Sequence, residues 1–296
     1  MPYIGEIAAL ITALLWSGTS IAFAEASKRV GPMYVNVTRM FFAVVYLAIT
    51  IAVIAAPLDL SLTQFLNLAV SGFIGLVVGD TFLFKAYRLI GARISMLVMS
   101  LAPAIAALLA YFFLNETLSL LGIVGIFVTI FGVALVVLQR REVPTSDYKI
   151  DYTGIFYAFI GAVGQGVGLI FAKFAINESE INAFSATLTR ILSALIIIYP
   201  LVKMTNRYNN PVKVFKENKK GLIYTLVGSI IGPYLGITFS LISISHTKVG
   251  IASTLMATVP IMMLPLVRFY YKEKLSWLSI IGAFVAVGGV AMLFMR

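Results

Sequence analysis

The 296-residue chain is 60% hydrophobic and only 11% charged, whereas a soluble domain carries roughly a quarter charged residues. This polar content is too low to cover a water-soluble globule. The net charge is +10, but the basic residues lie mostly between apolar runs, which fits anionic lipid headgroups rather than nucleic acid. The absence of cysteine excludes a disulfide framework, thiol catalysis and cysteine-ligated metal.

Ten apolar runs follow one another along the chain, and about 20 apolar residues suffice to cross a bilayer. Lipid offers the backbone no hydrogen-bond partner, so the runs are predicted to be helices, and they lack the alternation of a membrane β-barrel. We therefore predict an all-α integral membrane protein. Its spans, numbered 1 to 10, are 4–24, 33–55, 64–86, 92–113, 118–138, 153–174, 183–203, 221–243, 249–270 and 275–294.

The chain contains an internal repeat, because landmarks recur at one constant separation. The pairs that lie 157 positions apart are Pro103 and Pro260, Glu116 and Glu273, Gly125 and Gly282, Gly75 and Gly232, and Gly79 and Gly236. Nearer the N-terminus the offset drifts, but Thr38-Arg39 still matches Thr189-Arg190. We predict a first five-helix repeat over 1–141, a linker over 142–152 and a second repeat over 153–296.

Five spans per repeat is an odd number, so the second repeat is expected to cross the membrane in the opposite sense to the first. Inverted repeats are typical of secondary transporters, whose sites lie near the bilayer midplane between the repeats. The predicted architecture is ten transmembrane helices as two inverted repeats around a central cavity. A complete inverted repeat in one chain suits a functional monomer and leaves a dimer open.

Ionisable groups within the spans are candidates for function, because burying a charge at a helix centre costs roughly 3 kcal/mol or more. Arg39 and Arg190 either line an anion-binding cavity or extend to the headgroups. Asp80 either binds substrate or a proton, or forms a structural ion pair with Lys85, Arg88 or a group on another helix. The candidate substrate-binding residues are Trp16, Asn36, Arg39, Tyr46, Asp80, Lys85, Gln165, Arg190 and Tyr234.

Small residues at four-residue spacing let helices approach closely. The stripes Gly75/Gly79 and Gly232/Gly236 are predicted to be packing surfaces that change partners during a transport cycle. Pro103 and Pro260, inside spans 4 and 9, are predicted to shape helices around the cavity. Glu116 and Glu273 lie in turns ahead of helices, where a structural role at the membrane interface is expected. No metal site, cofactor or catalytic group is predicted.

The sequence resembles the EamA family of the drug/metabolite transporter superfamily over essentially its whole length. The similarity lies in Trp16-Ser17-Gly18 of span 1, the Thr-Arg pairs of spans 2 and 7, and the proline, glutamate turn and two glycines present in both halves. The resemblance implies a ten-helix inverted-repeat fold, a central cavity and alternating access. It does not specify a substrate, and Gly164-Gln165-Gly166 departs from it where a tryptophan is expected.

The predicted function is a multi-pass plasma-membrane transporter, an exporter by resemblance, of an amino acid or a related zwitterion or carboxylate. The reason is that the candidate cationic groups outnumber the acidic one. Export of cationic or drug-like compounds is the alternative if the arginines reach the headgroups. An intramembrane enzyme is a remote alternative, because the chain has one histidine, no cysteine and no close pair of intramembrane carboxylates.

The orientation of the chain has two conflicting indications. The even-numbered connections between spans hold only His246 and Lys248, so the positive-inside rule places both termini outside. The family resemblance implies cytoplasmic termini. The odd-numbered connections hold Lys28, Arg29, Arg88, Arg93, Arg140, Arg141, Lys149, Arg207, Lys213, Lys216, Lys219, Lys220, Lys272 and Lys274.

Overall fold

The computed structural model describes residues 3–113, 119–138, 151–206, 208–247, 252, 255–272 and 275–294. Helix is the only regular secondary structure in these residues. The predicted turn residues Glu116 and Glu273, and the linker up to residue 150, lie outside them. Six helical stretches are long and apolar enough to cross a membrane, and four shorter apolar helices accompany them in the described part of the chain.

The elements are numbered in chain order. The first half contains α1 (Ile4–Val30), α2 (Pro32–Ile54), α3 (Leu62–Gly72), a π-helical segment (Phe73–Gly79), α4 (Asp80–Met99), α5 (Ala102–Phe113) and α6 (Leu120–Leu138). The second half contains α7 (Tyr152–Glu178), α8 (Ala183–Met204), α9 (Pro211–Glu217), α10 (Lys219–Ser229), a second π-helical segment (Ile230–Gly236), α11 (Ile237–His246), α12 (Val259–Tyr270) and α13 (Trp277–Phe294).

Two composite helices, over Leu62–Met99 and Lys219–His246, each join an α-helix, a π-helical segment and another α-helix with no gap at the junctions. The two π-helical segments lie 157 residues apart, the separation of the sequence repeat. In the first, side chains from other helices reach the backbone carbonyls: Asn36 Nδ2 donates to Leu76 O over 3.2 Å, and Gln165 Nε2 donates to Gly75 O over 3.3 Å. Such segments often occur at functional sites.

Spans 4 and 9 were predicted as single helices, and this prediction is wrong in the described residues. Gly91, with φ 74° and ψ 172°, interrupts α4 at the connection predicted between spans 3 and 4, and glycine adopts this left-handed φ without a side-chain clash. A turn at Ser100–Leu101 then separates α4 from α5, and a turn at Ala257–Thr258 precedes α12. Pro103 and Pro260 are each the second residue of the new helix. In the first turn of a helix the backbone N–H has no intrahelical carbonyl partner, so the N–H that proline lacks is not missed.

Two further boundaries differ from the prediction. Span 1 was predicted to end at residue 24, but α1 continues to Val30 because Glu25 and Arg29 form an ion pair one turn apart. The connection between spans 7 and 8 was predicted to be a polar loop. It contains α9, which Asn210 caps by accepting from the Lys213 backbone N–H over 3.1 Å.

The two halves pack against each other through reciprocal pairs. The second composite helix packs on α1, and the first composite helix packs on α7. Helix α2 packs on α8, and α6 packs on α13. Each pair therefore joins one half to the other, and these helix contacts form the interface between the halves.

The two glycine stripes pack closely against different partners. A Cβ added at Gly164 of α7 would lie 2.7 Å from Gly79 Cα, so glycine meets glycine between α7 and the first composite helix. A Cβ at Gly236 would lie 2.7 Å from Trp16 Nε1, and one at Gly232 would lie 2.6 Å from Thr19 Cγ2. The second stripe therefore packs under bulky side chains of α1 and leaves no room for a side chain of its own.

We predict that Gly164→Ala lowers the unfolding free energy by about 1–3 kcal/mol, because the backbone of the neighbouring helix must move. The matched control is Gly288→Ala in α13, where nothing lies within 4 Å of an added Cβ and alanine favours the helix. Thermal unfolding in detergent measures both. Equal melting temperatures for the two variants would contradict the close packing.

Candidate functional site

A cavity of about 180 Å³ lies between the two halves. Both halves line it, through α1, α2, the first composite helix and α5 on one side and α7, α8, the second composite helix and α12 on the other. A cavity of about 150 Å³ in an apolar core accommodates benzene, so this one suits a small organic molecule. Its wall is mainly apolar and aromatic, with a few polar and charged side chains.

Five of the nine candidate binding residues line this cavity: Trp16, Arg39, Asp80, Gln165 and Arg190. Of the candidate packing and gating residues, Gly232, Pro103 and Pro260 also line it. Gly75, Gly79 and Gly236 lie in the helix contacts around it. The ionisable candidates Arg39, Asp80 and Arg190 thus lie at one cavity, although they come from three different helices.

Asp80 is buried at the start of α4 and accepts a hydrogen bond on each carboxylate oxygen. A terminal nitrogen of Arg39 lies 2.5 Å from Oδ2 in an ion pair, and Gln165 Nε2 donates to Oδ1 over 2.7 Å. The partner of Asp80 is thus an arginine on another helix. Charge-assisted hydrogen bonds of this kind are among the strongest in proteins.

The Arg39 side chain contacts polar and aromatic groups as well as Asp80. Its Nε donates to Asn36 Oδ1 over 3.0 Å, one turn earlier on α2. Its guanidinium lies 4.8 Å from the ring centroid of Phe84 and 5.6 Å from that of Phe23, distances at which a cation is attracted to an aromatic face. With only 4% of its surface exposed, Arg39 does not extend to the headgroups, and its charge is neutralised by Asp80.

Arg190 is equally buried, with 5% exposed, but its surroundings differ. Its Nε has no hydrogen-bond partner, and no ion pair of its guanidinium is found in the described residues. One terminal nitrogen lies against the first π-helical segment, 3.0 Å from where a Cβ of Gly75 would be. A buried guanidinium without a counter-ion is costly, which distinguishes Arg190 from the paired Arg39.

Four candidate residues do not line the cavity. Asn36 accepts a hydrogen bond from Arg39 Nε on its side-chain oxygen. Tyr46 packs on Tyr234, with ring centroids 5.8 Å apart, and the Tyr234 hydroxyl lies 2.8 Å from Thr50 Oγ1. The Lys85 ammonium lies 4.6 Å and 5.4 Å from the ring centroids of Phe82 and Tyr157. Lys85 comes five residues after Asp80, which places it on a different face of the helix.

Several residues of the cavity wall were not among the candidates. Phe84 and Tyr87 follow Asp80 by four and seven residues, so helical periodicity places them on its face. Met96 and Met99 also line the cavity, but they follow the break at Gly91. Their position depends on the direction the chain takes after that break, which no sequence pattern indicated.

Comparisons with known proteins agree with this arrangement. The model of the EamA-like transporter family matches residues 3–138 and 152–295. An uncharacterized transporter of Archaeoglobus fulgidus is 22% identical over 287 residues, covering 97% of this chain and 96% of that protein. A protein of known crystal structure aligns with a TM-score of 0.69 at 17% identity, covering 97% of this chain and 94% of that one. The last similarity concerns the fold alone.

We predict that Asp80→Asn destabilises the protein by about 3 kcal/mol or more, because it leaves the buried Arg39 without its counter-charge. The double variant Arg39→Gln/Asp80→Asn removes both charges and should recover much of the loss. The measurement is a double-mutant cycle of thermal unfolding in detergent. Additive effects of the two single substitutions would show that the ion pair does not contribute to stability.

Proposed function

The chain belongs to the EamA-like transporter family, and we propose that it moves a small carboxylate-bearing metabolite across the membrane by alternating access. It is a multi-pass membrane protein, so the bilayer and a small-molecule substrate are its partners. The observation that carries the substrate class is the charge of the cavity, where two buried arginines face one aspartate.

The proposed architecture is ten transmembrane helices in two inverted repeats, the first over 1–141 and the second over 153–296, joined by a linker. The six long stretches and the four shorter apolar helices would together form the ten crossings. Support comes from the common 157-residue separation of the π-helical segments and of the helix starts at Ala102 and Val259. The reciprocal pairing of helices is what a two-fold relation between the halves would produce.

Alternating access is proposed because the cavity lies between the halves and interrupted helices surround it. In inverted-repeat transporters, substrate sites lie at the repeat interface and are commonly formed by discontinuous helices, and one repeat moves against the other around the site. Here the turns before α5 and α12 provide such interruptions, and the glycine contacts provide surfaces without interlocking side chains. Export is the direction that the family suggests.

The alternative substrate class, cationic or drug-like compounds, requires a carboxylate that is free to receive a cation. Asp80 already accepts from Arg39 on one oxygen and from Gln165 on the other. A cationic ligand would also enter a cavity whose fixed charges are positive in sum, and low dielectric strengthens that repulsion. The geometry therefore favours a ligand that carries a negative charge.

We predict that proteoliposomes containing the protein accumulate a labelled carboxylate by counterflow when they are preloaded with the same compound. The carboxylates to be used are amino acids and simple monocarboxylic acids, with alkylamines of similar size for comparison. Gly79→Leu serves as the control that inserts but cannot repack against α7. Counterflow of amines alone, abolished by Asp80→Asn, would replace the proposed substrate class with the cationic one.

The orientation is tested separately, and the charge count predicts that the connection holding α9 is cytoplasmic. Lys213 and Lys216 of α9 carry part of that charge. Because the chain lacks cysteine, single cysteines at the exposed positions Asn209 and Asp59 report opposite sides. An impermeant thiol reagent on intact cells should label Asp59→Cys and spare Asn209→Cys. The reverse pattern would place both termini in the cytoplasm.

A further inference from the structure

We propose that Arg190 is the anion-binding residue of the cavity and that it selects a monocarboxylate with an apolar body over the matching zwitterion or amine. This inference rests on the proposed transport function and restricts its substrate class from carboxylate-bearing metabolites to monocarboxylates. It follows from one difference between the two repeats: Asp80 pairs with Arg39 in the first, and Ile237 stands at the corresponding position in the second.

The surroundings of the two arginines are built alike. In the first half, Asn36 of α2 donates to Thr81 Oγ1 of α4 over 3.0 Å. In the second half, the hydroxyls of Thr187 on α8 and Thr238 on α11 lie 3.5 Å apart. Each contact joins the arginine-bearing helix to the composite helix of the same half. The two contacts are therefore counterparts that align the repeats residue by residue.

This alignment identifies the counterpart of Asp80. Arg39 lies three residues after Asn36, and Arg190 lies three residues after Thr187. Asp80 lies one residue before Thr81, and the residue one before Thr238 is Ile237. Ile237 is buried and lines the same cavity. The second repeat therefore has the arginine of the first repeat without its carboxylate, which explains why Arg190 has no ion pair with any residue that the structure describes.

The fixed charges of the cavity then determine the ligand charge. Arg39 and Asp80 neutralise each other, and Arg190 leaves one positive charge uncompensated in the described lining. A monocarboxylate brings the total to zero, a zwitterion leaves it unchanged and an amine raises it. Because opposite charges attract strongly where water is excluded, the monocarboxylate is the favoured ligand. A guanidinium also presents two parallel N–H donors that match a carboxylate.

The remainder of the ligand is expected to be apolar and small. Trp16, Phe84, Tyr87 and Met99 contribute to a wall with little polar surface beyond the charged groups. The volume of about 180 Å³ admits a body somewhat larger than benzene. A branched alkyl chain or a single ring fits both the volume and the chemistry of that wall.

A direct binding measurement is available because the chain has two tryptophans. Trp16 lines the cavity, whereas 79% of Trp277 is exposed. In a Trp277→Phe background, Trp16 is the sole tryptophan and its fluorescence reports on the cavity. The probes are 4-methylpentanoate, leucine and isopentylamine, which share one branched skeleton and differ only in charged groups. We expect 4-methylpentanoate to bind most tightly and isopentylamine most weakly.

The variants are made in the same Trp277→Phe background. Arg190→Gln should weaken 4-methylpentanoate binding about tenfold to a hundredfold, the range expected for losing hydrogen bonds to a charged group, and Arg190→Lys should restore part of it. Ile237→Asp supplies the carboxylate that the second repeat lacks and should abolish binding, whereas Ile237→Asn should weaken it less. The melting temperature of each variant is measured alongside, and a value for Ile237→Asp at or above that of the parent shows that its loss of binding is not a folding defect.

The outcomes separate this inference from the proposed function. Tighter binding of leucine than of 4-methylpentanoate would overturn the inference while counterflow of leucine upholds the transport proposal. Unchanged 4-methylpentanoate binding in both Arg190→Gln and Ile237→Asp would overturn it as well, and so would the absence of any Trp16 response to that probe. Weakening in both variants, with partial restoration in Arg190→Lys, supports it.

Discussion

A buried guanidinium in a low-dielectric interior requires a counter-charge, and the arrangement of the cavity depends on this constraint. Arg39 satisfies it with Asp80, and both groups are further held by Asn36, Gln165 and two aromatic rings. Arg190 does not satisfy it within the described structure. The protein therefore contains one cation that is structurally neutralised and one that is available, and the available one faces a cavity of small-molecule size.

The proposed internal repeat would explain how such an arrangement arises. The two repeats share the π-helical segments, the helix starts at Ala102 and Val259 and the arginine-bearing helices, which keep the frame of the site the same on both sides. They differ at single positions: Gln165 stands where the first repeat has Trp16, and Ile237 stands where it has Asp80. In the proposed mechanism, a symmetric frame with asymmetric side chains allows one arginine to stabilise the fold while its counterpart binds the ligand.

The parts of the fold that depend on composition and periodicity were predictable from the sequence. Apolar runs separated by charged turns identify the membrane helices, and the constant 157-residue separation identifies the halves. The cost of burying charge indicated Arg39, Asp80 and Arg190. The π-helical segments were not predictable, because they depend on tertiary hydrogen bonds such as that from Asn36 to Leu76 O. A connection between spans was predicted at Gly91, but the position of Met96 depends on the direction that the chain takes after that residue.

The partners of the charged groups also required the structure. Asp80 had Lys85 and Arg88 nearby in sequence, yet the ion pair forms with Arg39, 41 residues earlier. Lys85 instead lies over Phe82 and Tyr157, because five helical residues turn it away from the Asp80 face. Of the alternatives that the sequence left open, the structure has the group on another helix, since contacts between helices decide which cation a buried carboxylate meets.

The most direct test of the central claim is an experimental structure of the protein with a brominated monocarboxylate, in which anomalous scattering locates the bromine and the density locates the carboxylate. The account predicts the carboxylate within hydrogen-bond distance of the Arg190 guanidinium, about 2.7–2.9 Å, on the side of Ile237, with the Arg39–Asp80 ion pair intact. A carboxylate bound to Arg39 with Asp80 displaced, or bound outside this cavity, would contradict it.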